Sequence, residues 1–352
     1  MAAARDEWLR LTPEAPVEPS LPIVDPHHHL WDRPGDSYLL DGFLQDVNGA
    51  GHNIVSTVFV ECREFYRQDG PLELQPVKET EVVQGIAARS ASGQYGRTAV
   101  AAGIVGHADF TLGAAVSRVL EAHLAASPDR FRGIRHICTW DASPAMKTPE
   151  PRAPRGLMLD SSFRAGLACL KQYGLSFEAW LYHPQLPEAA SLARAVPDVP
   201  MILNHIGGLL GVGPYAGKRE EVFQVWKRGI AELARCPNVV VKLGGLGMSR
   251  SGFDWHTRPA PPSSTELIEA TAPYYLSCIE QFGPTRCMFE SNFPVDKLSY
   301  SYGVVWNAFK RMTEKFSQTE RAALFHDTAA RVYRLPSNIQ RQEAARAETK
   351  AY

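Results

Sequence analysis

The chain has no long apolar run and no excess of charge of one sign, and each absence excludes a class of protein. No stretch approaches the roughly 18 apolar residues that a membrane-spanning helix needs. Lys and Arg number 37 against 38 Asp and Glu, for a formal net charge of −1, whereas a nucleic-acid-binding surface usually carries a clear basic excess. We therefore expect a small-molecule substrate, with neither nucleic acid nor membrane as a partner, and leave homo-oligomerisation open.

Cysteine pairs are also missing, although the chain contains 6 cysteines. They are scattered, without a C-x-x-C pair or zinc-ribbon spacing, which is typical of reduced thiols in a reducing compartment. The segment 1–20 carries Asp6, Glu7 and Glu14 where a signal peptide needs a continuous apolar run. We therefore expect a cytoplasmic protein, with residues 1–21 forming a surface arm and 336–352 a polar C-terminal tail that is helical or disordered.

Short apolar runs alternate with longer amphipathic stretches between these two ends. Eight runs have the composition of strands: 23–29, 54–62, 99–105, 131–137, 175–183, 200–205, 238–245 and 286–292. Helical periodicity follows most of them, at 78–92, 111–126, 162–173, 186–196, 218–235, 264–282 and 303–334. This alternation indicates a parallel sheet with helices outside it, and eight units predict an α/β fold, a single (β/α)8 TIM barrel over 22–335.

An open doubly wound sheet is the rival architecture. It would be favoured by a glycine-rich phosphate fingerprint after the first strand, but that position reads D-P-H-H-H-L-W. In the barrel, the Pro/Gly/Ser-rich excursions 141–156 and 246–263 follow strands, so we expect them to lie over the active face.

The first strand candidate ends in a run of three histidines. Because side chains alternate along a strand, Asp25, His27 and His29 share one face and His28 takes the other. Two imidazoles about 6–7 Å apart on one face can reach a single cation, so H-x-H at a strand end suits Zn²⁺ or a similar metal.

Two more histidines end later strand candidates. His183 ends the fifth and His205 ends the sixth. A single histidine at such an edge is more often a packed core residue than a ligand. A barrel, however, brings the carboxyl ends of its strands together, so we predict that His27, His29, His183 and His205 converge on one point.

Five runs taken together resemble the amidohydrolase superfamily, and within it the branch of lactone hydrolases that act on sugar-acid lactones, sulfomuconolactone and pyrone dicarboxylate. The runs are IVDPHHHLWD, HPQL, NHIGG, VKLGGLG and RCMFESNFPVDK. Their order and position match the family from about residue 22 to 335, which is nearly the whole chain.

The resemblance implies roles for particular side chains. His27, His29 and His183 would bind a divalent metal, with Zn²⁺ as the first expectation, or polarise the substrate directly as in metal-free members. His205 would shuttle a proton. Arg135, in FRGIRH, would face a substrate carboxylate or lactone oxygen, a task that suits a planar guanidinium.

The last strand candidate departs from the family pattern G-S-D-W-P, because here it reads E-S-N-F-P. Asn292 stands where the family has its water-activating Asp, and an amide cannot take up a proton at neutral pH. Glu290 shares the inward face with Asn292, so we predict an ion pair between Glu290 and Lys242 on the neighbouring strand. The missing base would then be Glu290 or Glu61, and Lys242 and Glu61 also count among the substrate-binding candidates.

The leading hypothesis is a hydrolase that opens a lactone or related acyl bond of a small, carboxylated substrate. Two alternatives stay open. One is a metal-dependent decarboxylase or carbon–carbon lyase, and the other is a catalytically silent barrel kept as a binding protein, for which Asp replaced by Asn292 is the expected kind of change. Glu178 would face the helices if His183 faced the pocket in an unbroken strand, so it is left unassigned.

Overall fold

The computed structural model describes residues 2–146 and 153–336, and its centre is a parallel eight-stranded sheet. The strands of the molecule are β1 (Pro22–His28), β2 (Trp31–Arg33), β3 (Asp36–Tyr38), β4 (Asn53–Val60), β5 (Ala99–Gly106), β6 (Phe131–Ile137), β7 (Ser176–Trp180), β8 (Met201–Leu203), β9 (Val239–Leu243) and β10 (Cys287–Phe289). The sheet runs in the order β1-β4-β5-β6-β7-β8-β9-β10, while β2 and β3 form a separate antiparallel pair.

The two edges of the sheet meet, so the sheet forms a nearly closed barrel. The backbone N–H of Asn292 donates to the carbonyl of His27 at 3.0 Å, and that of His29 donates to the carbonyl of Phe293 at 2.8 Å. The segment after β10 is thereby joined to β1. The predicted TIM barrel is confirmed.

Helices surround the barrel and follow its strands. They are α1 (Ala2–Leu9), α2 (Leu40–Gly49), α3 (Val77–Ala91), α4 (Ser117–Ala126), α5 (Ser161–Ala168), α6 (Leu170–Tyr173), α7 (Leu186–Ala195), α8 (His205–Gly208), α9 (Arg219–Ala234), α10 (Ser264–Phe282), α11 (Tyr302–Met312), α12 (Gln318–Ala322) and α13 (Thr328–Val332). Within the described ranges, none of these helices combines the length and apolarity that crossing a membrane would require.

The longest helix, α10, shows how the local sequence sets an element. Ser263 and Glu266 form a capping box, in which the serine hydroxyl accepts the Glu266 N–H at 3.3 Å and the glutamate accepts the Ser263 N–H at 2.8 Å. Leu267, Tyr274 and Cys278 recur at helical spacing and are buried. The helix ends at Gly283, whose φ of 75° lies in the region that favours glycine.

The N-terminal arm lies along the mouth side of the barrel. Nε1 of Trp8 donates to the carbonyl of Arg258, and the hydroxyl of Thr12 donates to that of Pro261, both at 2.9 Å. These contacts tie the arm to the excursion after β9. Residues 147–152 of the other predicted excursion, and the tail from 337 onward, lie outside the described residues.

Charged side chains inside the barrel follow its layers. A layer is contributed by alternate strands, and Lys242 of β9 accordingly binds Glu178 of β7, with Nζ 2.8 Å from Oε2. The hydroxyl of Tyr333, beyond α13, donates to the other Glu178 oxygen. Glu178, which the sequence left unassigned, therefore faces the barrel interior. Because β7 ends at Trp180, the alternation of side chains along a strand does not extend to His183 and cannot be used to orient Glu178 from it.

Candidate active site

Three of the four predicted histidines lie together at the carboxyl ends of the strands. The ring centroid of His27 is 4.9 Å from that of His29 and 4.5 Å from that of His205. His29 and His205 line a cavity of about 440 Å³, and His27 is fully buried beside them. The barrel thus brings residues 27, 29 and 205 to one place through β1 and the end of β8.

Two of these imidazoles have Nδ1 bound to an acceptor. Nδ1 of His29 donates to the carbonyl of Val60 at 2.7 Å. Nδ1 of His205 lies 2.6 Å from Oε1 of Glu290, an oxygen that also accepts the backbone N–H of His205 at 3.2 Å. In a neutral ring the second nitrogen, Nε2, is then the acceptor. Such carbonyl and carboxylate partners accompany the histidines that bind metals in proteins.

His27 and Asn292 each contribute a buried polar atom with no hydrogen-bond partner among the described residues. These atoms are Nε2 of His27 and Oδ1 of Asn292. The amide nitrogen of Asn292 donates to Asp296 at 2.8 Å, so its oxygen is left as an acceptor. An unsatisfied buried polar group costs about 1–3 kcal/mol. The two atoms therefore fit a water, a substrate group or a cation.

Glu290 contacts two imidazoles and is hydrogen-bonded to that of His205. Its second oxygen, Oε2, lies 2.8 Å from Nδ1 of His27, a contact too poorly aligned for a hydrogen bond, and Nδ1 also lies 3.3 Å from Nζ of Lys242. Ligand atoms of His27, His205 and Glu290 lie within 4.8 Å of one another. The glutamate contacts of 2.6 and 2.8 Å are hydrogen-bond distances, shorter than the spacing of about 3.3 Å between two ligands of a tetrahedral zinc. Glu290 thus serves as a partner of the imidazoles.

Burial sets the protonation of this cluster. It lowers the pKa of His27, His29 and His205 well below the usual value, and the positive charges of Lys242 and Arg135 act in the same direction. The rings are therefore neutral at neutral pH, which is the form that binds a metal or accepts a proton.

Glycine permits the close approach of His205 to Glu290. A side chain at Gly244 would overlap the Glu290 side chain and backbone, and one at Gly245 would overlap the ring of His205. Gly245 also has a φ of 74°. The glycine pair that follows β9 thus makes room for the His205–Glu290 contact, a requirement that the sequence motif alone does not show.

His183 does not join the cluster, and its predicted place in the metal set is corrected. It begins a short turn three residues beyond the end of β7, where its Nδ1 accepts the backbone N–H of Leu210 at 3.3 Å and its ring packs on Tyr215. Trp180 occupies the corresponding position at the cavity, with its ring centroid 4.8 Å from that of His205.

Lys242 and Glu61 also differ from prediction, because neither lines the cavity. Lys242 is fully buried and pairs with Glu178, so the expected Glu290–Lys242 ion pair is wrong. Oε1 of Glu61 accepts the Nε of Arg135 at 2.8 Å, and this pairing commits the carboxylate that was a candidate base. Arg135 itself reaches the cavity, as expected.

Three arginines of the cavity wall were not among the site residues predicted from the sequence. Arg33, Arg63 and Arg250 line it together with Arg135, and no Asp or Glu among the described residues does so. Their positions carried a signal, because Arg63 follows β4 by three residues and Arg250 lies in the excursion after β9. The residues that line the cavity therefore carry a net positive charge, which suits an anionic ligand.

Comparison with known proteins gives matches over most of the chain. The family model described as amidohydrolase matches residues 24–335. A protein of Sinorhizobium fredii of uncharacterized function is 36% identical over 337 residues, covering 89% of this chain and 98% of that protein. The L-fucono-1,5-lactonase of Burkholderia ambifaria is 28% identical over 334 residues, covering 90% and 98%.

Solved structures show the same fold. An amidohydrolase of Burkholderia multivorans with bound zinc superposes with a TM-score of 0.67 at 24% identity, covering 89% of this chain and 99% of that one. A protein of Pseudomonas putida described as a 2-pyrone-4,6-dicarboxylic acid hydrolase superposes with a TM-score of 0.56 at 16% identity, covering 90% and 99%.

Proposed function

The chain belongs to the amidohydrolase family and is a hydrolase, and we propose that it opens the ring of a lactone that carries at least one carboxylate. The observation that carries the proposal is the group of three neutral imidazoles at the cavity, two of which have Nδ1 bound and Nε2 available. A relative named as an L-fucono-1,5-lactonase, matched over 98% of its length, supports an ester ring as the bond that is cleaved.

His205 moves the proton in this reaction, and Glu290 holds the tautomer of its ring. The water oxygen bonds to the acyl carbon while Nε2 of His205 accepts the water proton, and the ring C–O bond then breaks. The same nitrogen returns the proton to the leaving alkoxide, which yields a hydroxy acid. Glu290 holds the Nδ1–H tautomer that leaves Nε2 facing the reaction.

His27 and His29 would hold the divalent metal that the family implies. The carbonyl-bound Nδ1 of His29 leaves its Nε2 as an acceptor, and the partner-less Nε2 of His27 fits the role in the tautomer whose proton is on Nδ1, facing Glu290. The ion supplies Lewis-acid polarisation of the ester carbonyl when it is bound. Zinc is the first choice, because a structural neighbour contains it.

Asn292 orients the attacking water and does not transfer a proton. Its amide nitrogen is committed to Asp296, and its partner-less oxygen can accept a hydrogen bond from the attacking water. On this proposal, His205 takes over the base function of the Asp that the family has at the position of Asn292.

Ring opening can be measured directly, because each turnover releases an acid. The purified, zinc-supplemented protein is assayed with a pH indicator against γ-carboxy-γ-butyrolactone and L-fuconolactone, and CO2 release is followed in parallel with carboxylated aromatic acids. We expect ring opening that falls about 10²–10⁴-fold in His205→Asn, the usual contribution of a general acid–base group. His183→Asn is the matched control and should retain most of the activity.

Other outcomes overturn the proposal. CO2 release without ring opening would establish a decarboxylase, and a folded protein with neither activity would favour a silent barrel. Equal loss of ring opening in His205→Asn and His183→Asn would show that the cluster of residues 27, 29 and 205 is not the reaction centre.

A further inference from the structure

The charges on the cavity wall are not balanced within the described part of the chain. Of its four arginines, two have carboxylate partners. Nε of Arg33 lies 2.7 Å from Glu64, and Nε of Arg135 lies 2.8 Å from Glu61. Each of these pairs is close to neutral as a unit, so neither adds a full positive charge to the cavity.

Arg63 is the first arginine without a carboxylate partner among the described residues. Its Nε is buried and makes no hydrogen bond. Arg63 is also one of the non-glycine residues with positive φ, at 65°, a conformation that costs of order 1–3 kcal/mol. The backbone after β4 therefore holds the guanidinium at the cavity with its Nε shielded from solvent. A buried donor of this kind needs an acceptor from a ligand or from solvent.

Arg250 is the second cavity arginine without a carboxylate partner among the described residues, and its contacts hold it in place without neutralising its charge. Nη1 donates to the hydroxyl of Tyr182 at 3.0 Å. The guanidinium carbon lies 5.5 Å from the ring centroid of Trp180 and 5.8 Å from that of Tyr182. These neutral partners hold the side chain at the cavity while most of its donors stay available.

The strand order places these two arginines on opposite sides of His27 and His29. Arg63 follows β4, which neighbours β1, and Arg250 follows β9, which neighbours β10. The strands between them are β1, which leads into His27 and His29, and β10, which ends three residues before Asn292. A ligand that touched both guanidinium groups would therefore lie across the imidazoles.

We propose that Arg63 and Arg250 are specificity-determining residues that bind two separate acidic groups, so that the substrate is a lactone carrying two carboxylates. The cavity volume of about 440 Å³ admits one small ring with such substituents. This inference rests on the proposed function for the identity of the ring. The two-anion requirement follows from the wall itself, and it separates this chain from a lactonase for neutral sugar lactones.

Binding to three probes with one ring and different charge tests the inference without requiring turnover. Isocitrate lactone carries two carboxylates, γ-carboxy-γ-butyrolactone carries one, and γ-butyrolactone carries none. Their dissociation constants are measured by calorimetry or by competition, using the inactive His205→Asn protein so that the ring stays closed. We expect affinity to rise with each added carboxylate.

The variants are Arg63→Gln, Arg250→Gln and Arg33→Gln. We expect the first two each to weaken binding of isocitrate lactone by about 10- to 100-fold, the range for a charged hydrogen bond. Binding of γ-butyrolactone should be unchanged. Arg33→Gln is the matched control, because Arg33 lines the same cavity but is paired with Glu64, and we expect an effect below about threefold. Arg63→Lys and Arg250→Lys should recover part of the loss, which excludes misfolding as its cause.

Two results would overturn the inference. One is isocitrate lactone binding no more tightly than γ-butyrolactone, and the other is Arg33→Gln weakening binding as much as Arg63→Gln and Arg250→Gln. If the charge-dependent binding is found but the active protein opens no lactone, the proposed function fails and the two-anion site stands.

Discussion

Oε1 of Glu290 accepts both N–H groups of His205, the backbone amide at 3.2 Å and the ring Nδ1 at 2.6 Å. This double contact fixes the ring orientation, and in its ionised form Glu290 can only accept hydrogen bonds, which keeps the ring proton on Nδ1. The reactive nitrogen, Nε2, is thereby kept as an acceptor at the cavity.

Glu290→Gln should lower kcat by about 10²–10⁴-fold with little change in KM. The amide can turn its NH2 group towards Nδ1 of His205 and so favour the tautomer in which Nε2 carries the proton. Steady-state kinetics on an accepted lactone provide the measurement. An unchanged kcat, or a loss carried entirely by KM, would show that Glu290 does not set the state of His205.

The protein should bind about one equivalent of Zn²⁺ through His27 and His29. His29→Ala is expected to lower the bound zinc at least tenfold, while His183→Ala should leave it unchanged because that ring packs on Tyr215, away from the cluster. Elemental analysis after zinc loading and gel filtration gives the metal content independently of activity.

The paired variants make this test selective. Zinc lost from both His29→Ala and His183→Ala would restore the predicted set of His27, His29 and His183 and reject the corrected one. Full activity of chelator-treated, zinc-free protein would instead show that the imidazoles polarise the substrate without a metal.

Asn292→Asp should destabilise the fold rather than restore the family's usual base. The new carboxylate would face Asp296, which now accepts the Asn292 amide at 2.8 Å, so the hydrogen bond is replaced by repulsion. We expect a loss of about 1–3 kcal/mol at pH 8. Urea unfolding of the variant and of the native protein measures the difference.

The size of this loss should depend on pH in a definite direction. Burial already raises the pKa of Asp296 to about 7, and a second carboxylate would raise it further. A raised folded-state pKa gives stability that is fully present below the unfolded-state pKa, near 4, and is lost as pH rises through the folded-state value. The deficit of Asn292→Asp should therefore be small at pH 4–5 and grow towards pH 8. Asn292→Ala, which adds no charge, should show a deficit that varies much less with pH.

Lys242→Met should destabilise the protein by about 3–5 kcal/mol, because Glu178 would be left buried without its cation. Adding Glu178→Gln should recover a large part of the loss, since the remaining side chain is uncharged. A double-mutant cycle measured by urea unfolding isolates the coupling between the two residues. Additive losses would mean that the ion pair does not contribute as the structure indicates.

Much of the architecture and part of the site were determined by the sequence alone. Strand and helix periodicities are local, and the alternation of side chains along a strand is sufficient to place His27 and His29 on one inward face. His205 and Arg135 could be assigned in the same way, because they lie at or near the carboxyl ends of strands that the structure contains.

The contacts between strands were decided only by the tertiary structure. Sequence parity paired Lys242 with Glu290 of the neighbouring strand, whereas side chains in a barrel meet those of alternate strands. Lys242 of β9 thus meets Glu178 of β7, and His205 after β8 meets Glu290 after β10. The end of β7 at Trp180, which removes His183 from the cluster, depends on packing against neighbouring segments. The cavity charge likewise depends on which arginines find carboxylates in space, and that pairing leaves no periodic signal in the chain.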